Sequence, residues 1–469
     1  MMSTVEARAR RLNNLPAEVV DNRPYPQRML SSWWTWLTIG LTIIFAACLA
    51  ALYFDLISDK PAVDGIIPGI NPSAIRQGAW YATSTLLFWV VVFLMADRWR
   101  PQRWTVWFLS LGWGATVATF LSYHVNSWAG MQMQVTGDFD PATSARVAIF
   151  VAPFVEEAAK ATVLFGLAIL VRYELVSKVS LVVMGGLSAA GFAFTENIIY
   201  YARAIVYSST EISVGDAEQA VVDIVWLRGF WTAFGHPLFT MMTAIGVAVA
   251  LRTRSKVVRV LAPLAGYGLA ALLHMVFNSQ ATFSEGVSQQ IMYWLVAIPL
   301  LLSAVVWVIR QVLLQSRLIR VRLADYVVVG WLRPDDPLLF SRQRTRWRAL
   351  LVALTRGWRC FLATRELQRK LTELAYLRDA QVRGVIDEAG NERAHELIQR
   401  VRDVRPMAID DPRGLKLALP RLRRRQALDY PPPSYPGPAG LGGSWPAPSS
   451  AQVNAPGHSA VDPKWGPPA

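Results

Sequence analysis

Apolar runs, each close to the roughly 20 residues a helix needs to cross a bilayer, recur at about 33–54, 79–96, 104–122, 147–171, 179–202, 225–250, 258–279 and 291–313. They predict an all-α polytopic membrane protein of eight transmembrane helices, because a helix satisfies its backbone polar groups internally where no water can. Trp33, Trp34, Trp36, Trp80, Trp99, Trp104 and Trp226 stand near the ends of these runs, where amphipathic rings prefer the headgroup level. The polar segments between the runs alternate in charge. The N-terminal segment, Arg98/Arg100/Arg103, Arg172/Lys178, Arg252/Arg254/Lys256/Arg259 and the Arg-rich stretch after Ser316 fall on one side. The segments 55–78, 123–146, 203–224 and 280–290 hold only Lys60, Arg76, Arg146 and Arg203 as basic residues, beside Asp55, Asp59, Asp64, Glu211, Asp216, Glu218 and Glu285. The positive-inside rule then puts both termini in the cytoplasm.

Composition agrees with this pattern. The chain of 469 residues is 53% hydrophobic with 19 tryptophans, too apolar for an ordinary soluble protein that also carries 47 basic residues. Residues 1–32 are polar and Arg-containing with no cleavage-site pattern after the first run, so that run reads as a retained anchor. The organisation expected is a cytoplasmic segment 1–32, a transmembrane domain 33–315, a basic helical cytoplasmic extension 316–429, and a Pro/Gly/Ser-rich tail 430–469 too poor in apolar residues to fold. The net charge of +14 suits contact of the extension with anionic lipid, and no nucleic-acid partner is predicted. Cys48 and Cys360 are too far apart in sequence to suggest a disulfide framework or a metal motif.

Charged side chains inside the runs cost several kcal/mol each and ordinarily face a bundle interior. FVEEAAKA, 154–161, places Glu156 and Lys160 at i,i+4 and Glu157 and Lys160 at i,i+3, so one acid can be neutralised on its own helix. The other is either a wet structural acid or a usable base. GFAFTENIIYY in the fifth run adds Phe192, Glu196 and Asn197 behind Gly186 and Ala190, whose small-xxx-small spacing lets another helix approach. The sixth run carries His236 before Pro237, and the seventh places His274 and Asn278 at i,i+4. Taken singly, each histidine reads as a structural hydrogen-bonding group between helices. With alternate helices antiparallel, the glutamates and histidines share one level, about 8–16 Å below the outer surface at 1.5 Å per residue. Convergence on one site explains this better than four unrelated structural residues. His124 and Arg228, near the ends of their runs, reach the headgroups and receive no role.

Carboxylates and two imidazoles at one depth are the parts needed to activate water and to stabilise an oxyanion. The soluble zinc-protease signature HExxH is absent, so any metal site must be assembled from separate helices. The motifs EE-xx-K (Glu156, Glu157, Lys160), F-xxx-E-N (Phe192, Glu196, Asn197), GH (Gly235, His236) and H-xxx-N (His274, Asn278), in this order, resemble the PrsW family of intramembrane proteases, related to type II CAAX-processing proteases, over about residues 147–280. The resemblance implies a membrane-embedded endopeptidase of a bacterial plasma membrane, described as a metalloprotease. Its substrate would be a membrane-anchored protein, with some members making the first, extracytoplasmic cut in an anti-sigma factor. The related enzymes imply Glu156 as base while Glu157 pairs with Lys160. Two mechanisms stay open: Glu196, His236 and His274 hold Zn2+, or Glu156 and His236 activate water without metal while His274 and Asn278 stabilise the oxyanion. A proton-coupled transporter would more often show repeated halves and a midplane site. A non-catalytic scaffold would be expected to have lost one of these residues.

Overall fold

The computed structural model describes residues 23–62, 65–99, 101–136, 145–171, 175, 177–210, 217–283, 286–386 and 389–417. The tail 430–469, most of the N-terminal segment, and Asp64, Arg100, Arg172, Glu211, Asp216 and Glu285 of the charge pattern lie outside them. The chain divides into two compact units, Asn22–Arg310 and a second comprising Met1–Asp21 and Gln311–Ala469.

Among the described residues the regular elements of the membrane unit are helices and one hairpin of β1 (Lys60–Ala62) and β2 (Gly65–Ile67), antiparallel with Lys60 opposite Ile67. A short α1 (Tyr25–Leu30) precedes α2 (Trp33–Ile57). Helix α3 (Pro72–Ala96) starts where proline's missing N–H costs nothing, with the Asn71 side chain accepting from the Ser73 amide as its cap. Next come α4 (Trp104–Trp113), a π turn Gly114–Ala118 and α5 (Thr119–Thr136). A second π turn, Val147–Val151, leads into α6 (Ala152–Leu170), followed by α7 (Lys178–Thr210) and α8 (Ala217–Trp226). The turn Leu227–Trp231 then introduces α9 (Gly235–Leu251), α10 (Lys256–Phe283) and α11 (Gly286–Met292), and a last π turn, Tyr293–Ala297, opens α12 (Ile298–Val328).

Among the described residues, seven helical stretches are long and apolar enough to cross a membrane: Trp33–Ile57, Pro72–Ala96, Trp104–Met133, Lys178–Val206, Glu218–Leu251, Lys256–Phe283 and Gly286–Val328. The eighth predicted run, the fourth in order, forms α6. It differs by carrying three charges, and Glu156, Glu157 and Lys160 are all buried there. A helix with that cargo is shielded by protein, not by lipid. The last stretch also runs well beyond the predicted 291–313, because α12 continues to Val328 through Arg317, Arg320 and Arg322.

Helix α7 is the axis of the unit: Val183, Met184, Ala189, Tyr201 and Ala202 along it are fully buried. Its crossing with the π turn after α4 depends on two glycines. A Cβ on Gly114 would lie 1.8 Å from the Ser188 carbonyl oxygen, and one on Gly191 would lie 2.2 Å from that of Leu111. Only bare backbone permits this approach.

In the second unit the regular elements among the described residues are helices: the C-terminal part of α12, α13 (Asp336–Phe340), α14 (Gln343–Thr355), α15 (Trp358–Val382) and α16 (Ala389–Val404). Ile319, Leu323, Leu367, Leu371, Leu374, Leu397 and Ile398 are buried in it. Ion pairs join distant elements: Arg378 to Asp325 at 3.0 Å, Arg393 to Glu373 at 2.6 Å, Arg400 to Glu366 at 2.6 Å and Arg405 to Asp336 at 2.7 Å. Arg346 is buried, donates to Thr372 Oγ1 at 2.8 Å, and is pulled down to about 10 by desolvation.

Candidate active site

Helix α6 has helical spacing to present two acids and a lysine, but its neighbours decide what each can do. The Lys160 Nζ, fully buried, lies 2.7 Å from Glu157 Oε1 and 3.6 Å from Glu156 Oε2. It also touches His236 Nδ1 at 2.9 Å and sits 4.3 Å over the Phe192 ring, which faces it with the negative side of its quadrupole. Glu157 is held on every side: Thr240 Oγ1 donates to its Oε2 at 2.7 Å, and His274 Nδ1 lies 3.2 Å from its Oε1. Main-chain contacts fix α6 itself, since Trp113 Nε1 donates to the Ala159 carbonyl and Ser188 Oγ to that of Lys160, each at 2.9 Å.

Glu156 is different. Its Oε1 accepts from Asn126 Nδ2 on α5 at 3.3 Å, while its buried Oε2 has no hydrogen-bond partner. It borders a cavity of about 360 Å³ whose wall also includes Asn126, Phe192, Glu196, His236, His274 and Asn278, whereas Glu157 and Lys160 are not part of that wall. His274 Nε2 lies 3.9 Å from Glu156 Oε2.

The contacts assign the imidazole protons. With Lys160 donating to His236 Nδ1, the His236 Nε2–H donates to Glu196 Oε2 at 2.8 Å. With Nδ1–H of His274 directed at Glu157, its Nε2 is the nitrogen that faces Glu156. His236 thus has both nitrogens engaged and His274 has one open. The rings meet edge to face with centroids 5.2 Å apart, and Phe239 stacks on His274 at 5.0 Å.

Glu196 departs from the expectation that it joins the histidines as a metal ligand. Its Oε2 is 2.6 Å from Arg228 Nη2, and Arg228 Nε donates to Asn197 Oδ1 at 2.9 Å. The guanidinium also lies 3.8 Å over Tyr200. Arg228 therefore does not reach for the headgroups, because the π turn Leu227–Trp231 aims it at α7. The donors that converge instead are Glu156, His236 and His274, with one atom from each lying within 4.8 Å of the others. A Glu156 oxygen that accepts no hydrogen bond, an open nitrogen on His274 and the imidazole of His236 suit a His/His/carboxylate cation site, provided His236 gives up either Lys160 or Glu196.

Asn278 lines the cavity, with its Nδ2 bound to the Ala148 carbonyl at 2.8 Å. His124 packs on Phe120 and Tyr123. The sequence reading passed over Asn126, Thr240 and Arg228. Thr240, four residues after His236 and so on the same helical face, is the one of these with a periodic signal.

A bundle of apolar helices that encloses carboxylates and imidazoles around a cavity is that of a multi-pass membrane protein and holds the groups that can activate water. Residues 101–304 match the family model for the PrsW family intramembrane metalloproteases. The membrane unit thus contains a segment similar to the PrsW-family intramembrane metalloproteases; the match begins before α4 and ends within α12, wider than the motifs alone. No curated protein and no solved structure matches the chain.

Proposed function

We propose that the chain hydrolyses a peptide bond in a membrane-anchored protein near the outer face of the bilayer, with Glu156 activating the water. The observation that supports this is the buried Glu156 Oε2 on the cavity wall, which accepts no hydrogen bond and lies 3.6 Å from Lys160 Nζ and 3.9 Å from an open His274 nitrogen, the latter a separation that one water can bridge. Glu156 accepts the proton as the water oxygen attacks the carbonyl carbon, and returns it to the amine nitrogen when the C–N bond breaks. Glu157 keeps Lys160 and His274 in place. Glu196, oriented by Arg228, holds the His236 ring. His236 has no free nitrogen for the water in this arrangement, so His274 replaces it in the metal-free version of the mechanism. Asn278 and Asn126 offer amide N–H groups from the wall toward the tetrahedral oxyanion.

Glu156, His236 and His274 are also the residues that would hold a metal ion, of which Zn2+ suits the donor set. Such an ion would polarise the carbonyl and lower the pKa of water. The outer-leaflet placement rests on eight spans with both termini cytoplasmic, as the basic loops imply. A single-span anti-sigma factor of a bacterial plasma membrane is the substrate class that the family resemblance suggests.

The test uses purified full-length protein in detergent with a single-span reporter peptide. Glu156→Gln is expected to lose about 10²–10⁴-fold in cleavage, the range for a general base, with thermal stability retained. Cleavage by this variant at the wild-type rate would remove Glu156 from the role. Elemental analysis of purified wild type and His274→Ala protein reads metal directly: bound Zn2+ lost with His274 supports the ion site, and full activity without metal excludes it.

A further inference from the structure

The extension reads as uniformly basic in sequence, but its fold distributes the charge unevenly. Arg322, Arg333, Arg378, Arg383, Arg393, Arg400, Arg405 and Arg413 are each matched to a carboxylate. The stretch 342–365, RQRTRWRALLVALTRGWRCFLATR, contains seven arginines and no acid. Of these, Arg344, Arg348, Arg356, Arg359 and Arg365 are exposed and form no ion pair among the described residues.

The same stretch exposes large apolar side chains. Trp347, Leu351 and Leu354 stand on one face of α14 at i, i+4 and i+7, and Trp358 and Leu362 on one face of α15, with exposures from 43% for Leu362 to 64% for Trp358. The opposite faces are spent on the core, where Ala349, Val352 and Ala353 pack with Ile409 and Phe361. Gly357, at φ +114°, makes the bend that joins the two helices. Tryptophan and leucine ringed by arginine is the composition of a surface that lies in the lipid interface, apolar side chains in the acyl boundary and guanidinium groups on phosphates. A nucleic acid would satisfy the arginines and leave Leu351, Leu354 and Leu362 in water.

We propose that α14 and the first turns of α15 dock onto the anionic surface of the bilayer, making this face a peripheral membrane anchor for the second unit. The proposal does not depend on the proteolytic reading. It is tested with the full chain in nanodiscs of phosphatidylcholine alone or with phosphatidylglycerol. In a Cys48→Ala/Cys360→Ala background, a spin label is placed at Leu354→Cys, or at the exposed Gln399→Cys on α16 as a control. Power saturation with oxygen and with an aqueous nickel complex then reads depth. The expected result is a label at 354 shielded from nickel and open to oxygen in anionic discs, the label at 399 open to nickel in both, and the shielding at 354 lost when Arg344, Arg348, Arg356 and Arg359 are replaced by Gln. Unchanged helicity by circular dichroism shows that the variant folds. Equal nickel access at 354 in both lipids overturns the proposal. So does shielding that survives the Gln variant in phosphatidylcholine, which would mark a protein covering the face.

Discussion

Two ionic networks, one in each unit, use the same side-chain chemistry to different ends. In the second unit Asp336 receives two guanidinium nitrogens of Arg405, at 3.0 and 2.7 Å, and is almost fully buried. A carboxylate so enclosed is a fastener. In the membrane unit Glu157 is enclosed in the same manner by Lys160, Thr240 and His274, but the adjacent Glu156 keeps one oxygen out of any hydrogen bond. Two neighbouring glutamates thus separate into one saturated with donors and one with an oxygen that accepts no hydrogen bond, and the reading of Glu156 as the base proposed above rests on that difference.

The sharpest way to break this comparison is to exchange the two acids' fates. Glu157→Gln leaves Lys160 buried beside a weaker acceptor and should cost about 3–5 kcal/mol of stability, seen as a lowered thermal midpoint, whereas Glu156→Gln should lose cleavage while unfolding like the wild type. Equal destabilisation by the two would erase the distinction. Arg405→Ala removes both guanidinium bonds from buried Asp336, leaving it the Arg333 amide, and should destabilise the second unit by about 3 kcal/mol, while reporter cleavage in detergent stays at the wild-type rate. Arg228→Gln frees Glu196 and lets His236 turn, with about a 10–100-fold drop in kcat expected by analogy with residues that orient a ligand and KM held nearly constant, as steady-state kinetics would show. Of similar size in free energy is Thr240→Val, which removes one donor from a buried carboxylate and should cost about 1.5–3 kcal/mol of stability, the worth of a hydrogen bond to a charged group.

The placement of Glu156, Glu157, Lys160, Glu196, His236 and His274 within one bundle was legible because charge in an apolar run is costly enough to mark itself. Their partners were less so. Arg228 sits at the end of an apolar run, where sequence alone allows it to face water, and only the π turn directs it inward. Asn126 and Thr240 are uncharged and carry little hydropathy signal, yet Asn126 binds one glutamate and Thr240 the other. The exchange of Glu196 for Glu156 among the converging donors depends on a contact 32 residues apart, beyond any helical period. The fourth helix was found by its length, although its charges set it apart from the seven apolar stretches. In the extension, helical periodicity was visible, but the Asp325–Arg378 pairing, 53 residues apart, was not.

The crossing at Gly114 and Gly191 has a consequence for how this protein tolerates change. Ser188, whose carbonyl would meet a Cβ on Gly114, also holds the Lys160 carbonyl through its hydroxyl. A single added methyl group there would push apart two helices that share the alignment of the acid pair. A saturation library scored for cleavage should therefore lose clones at these two glycines, which carry no reactive atom, about as often as at the glutamates, and the map of intolerant positions would trace the scaffold as plainly as the chemistry.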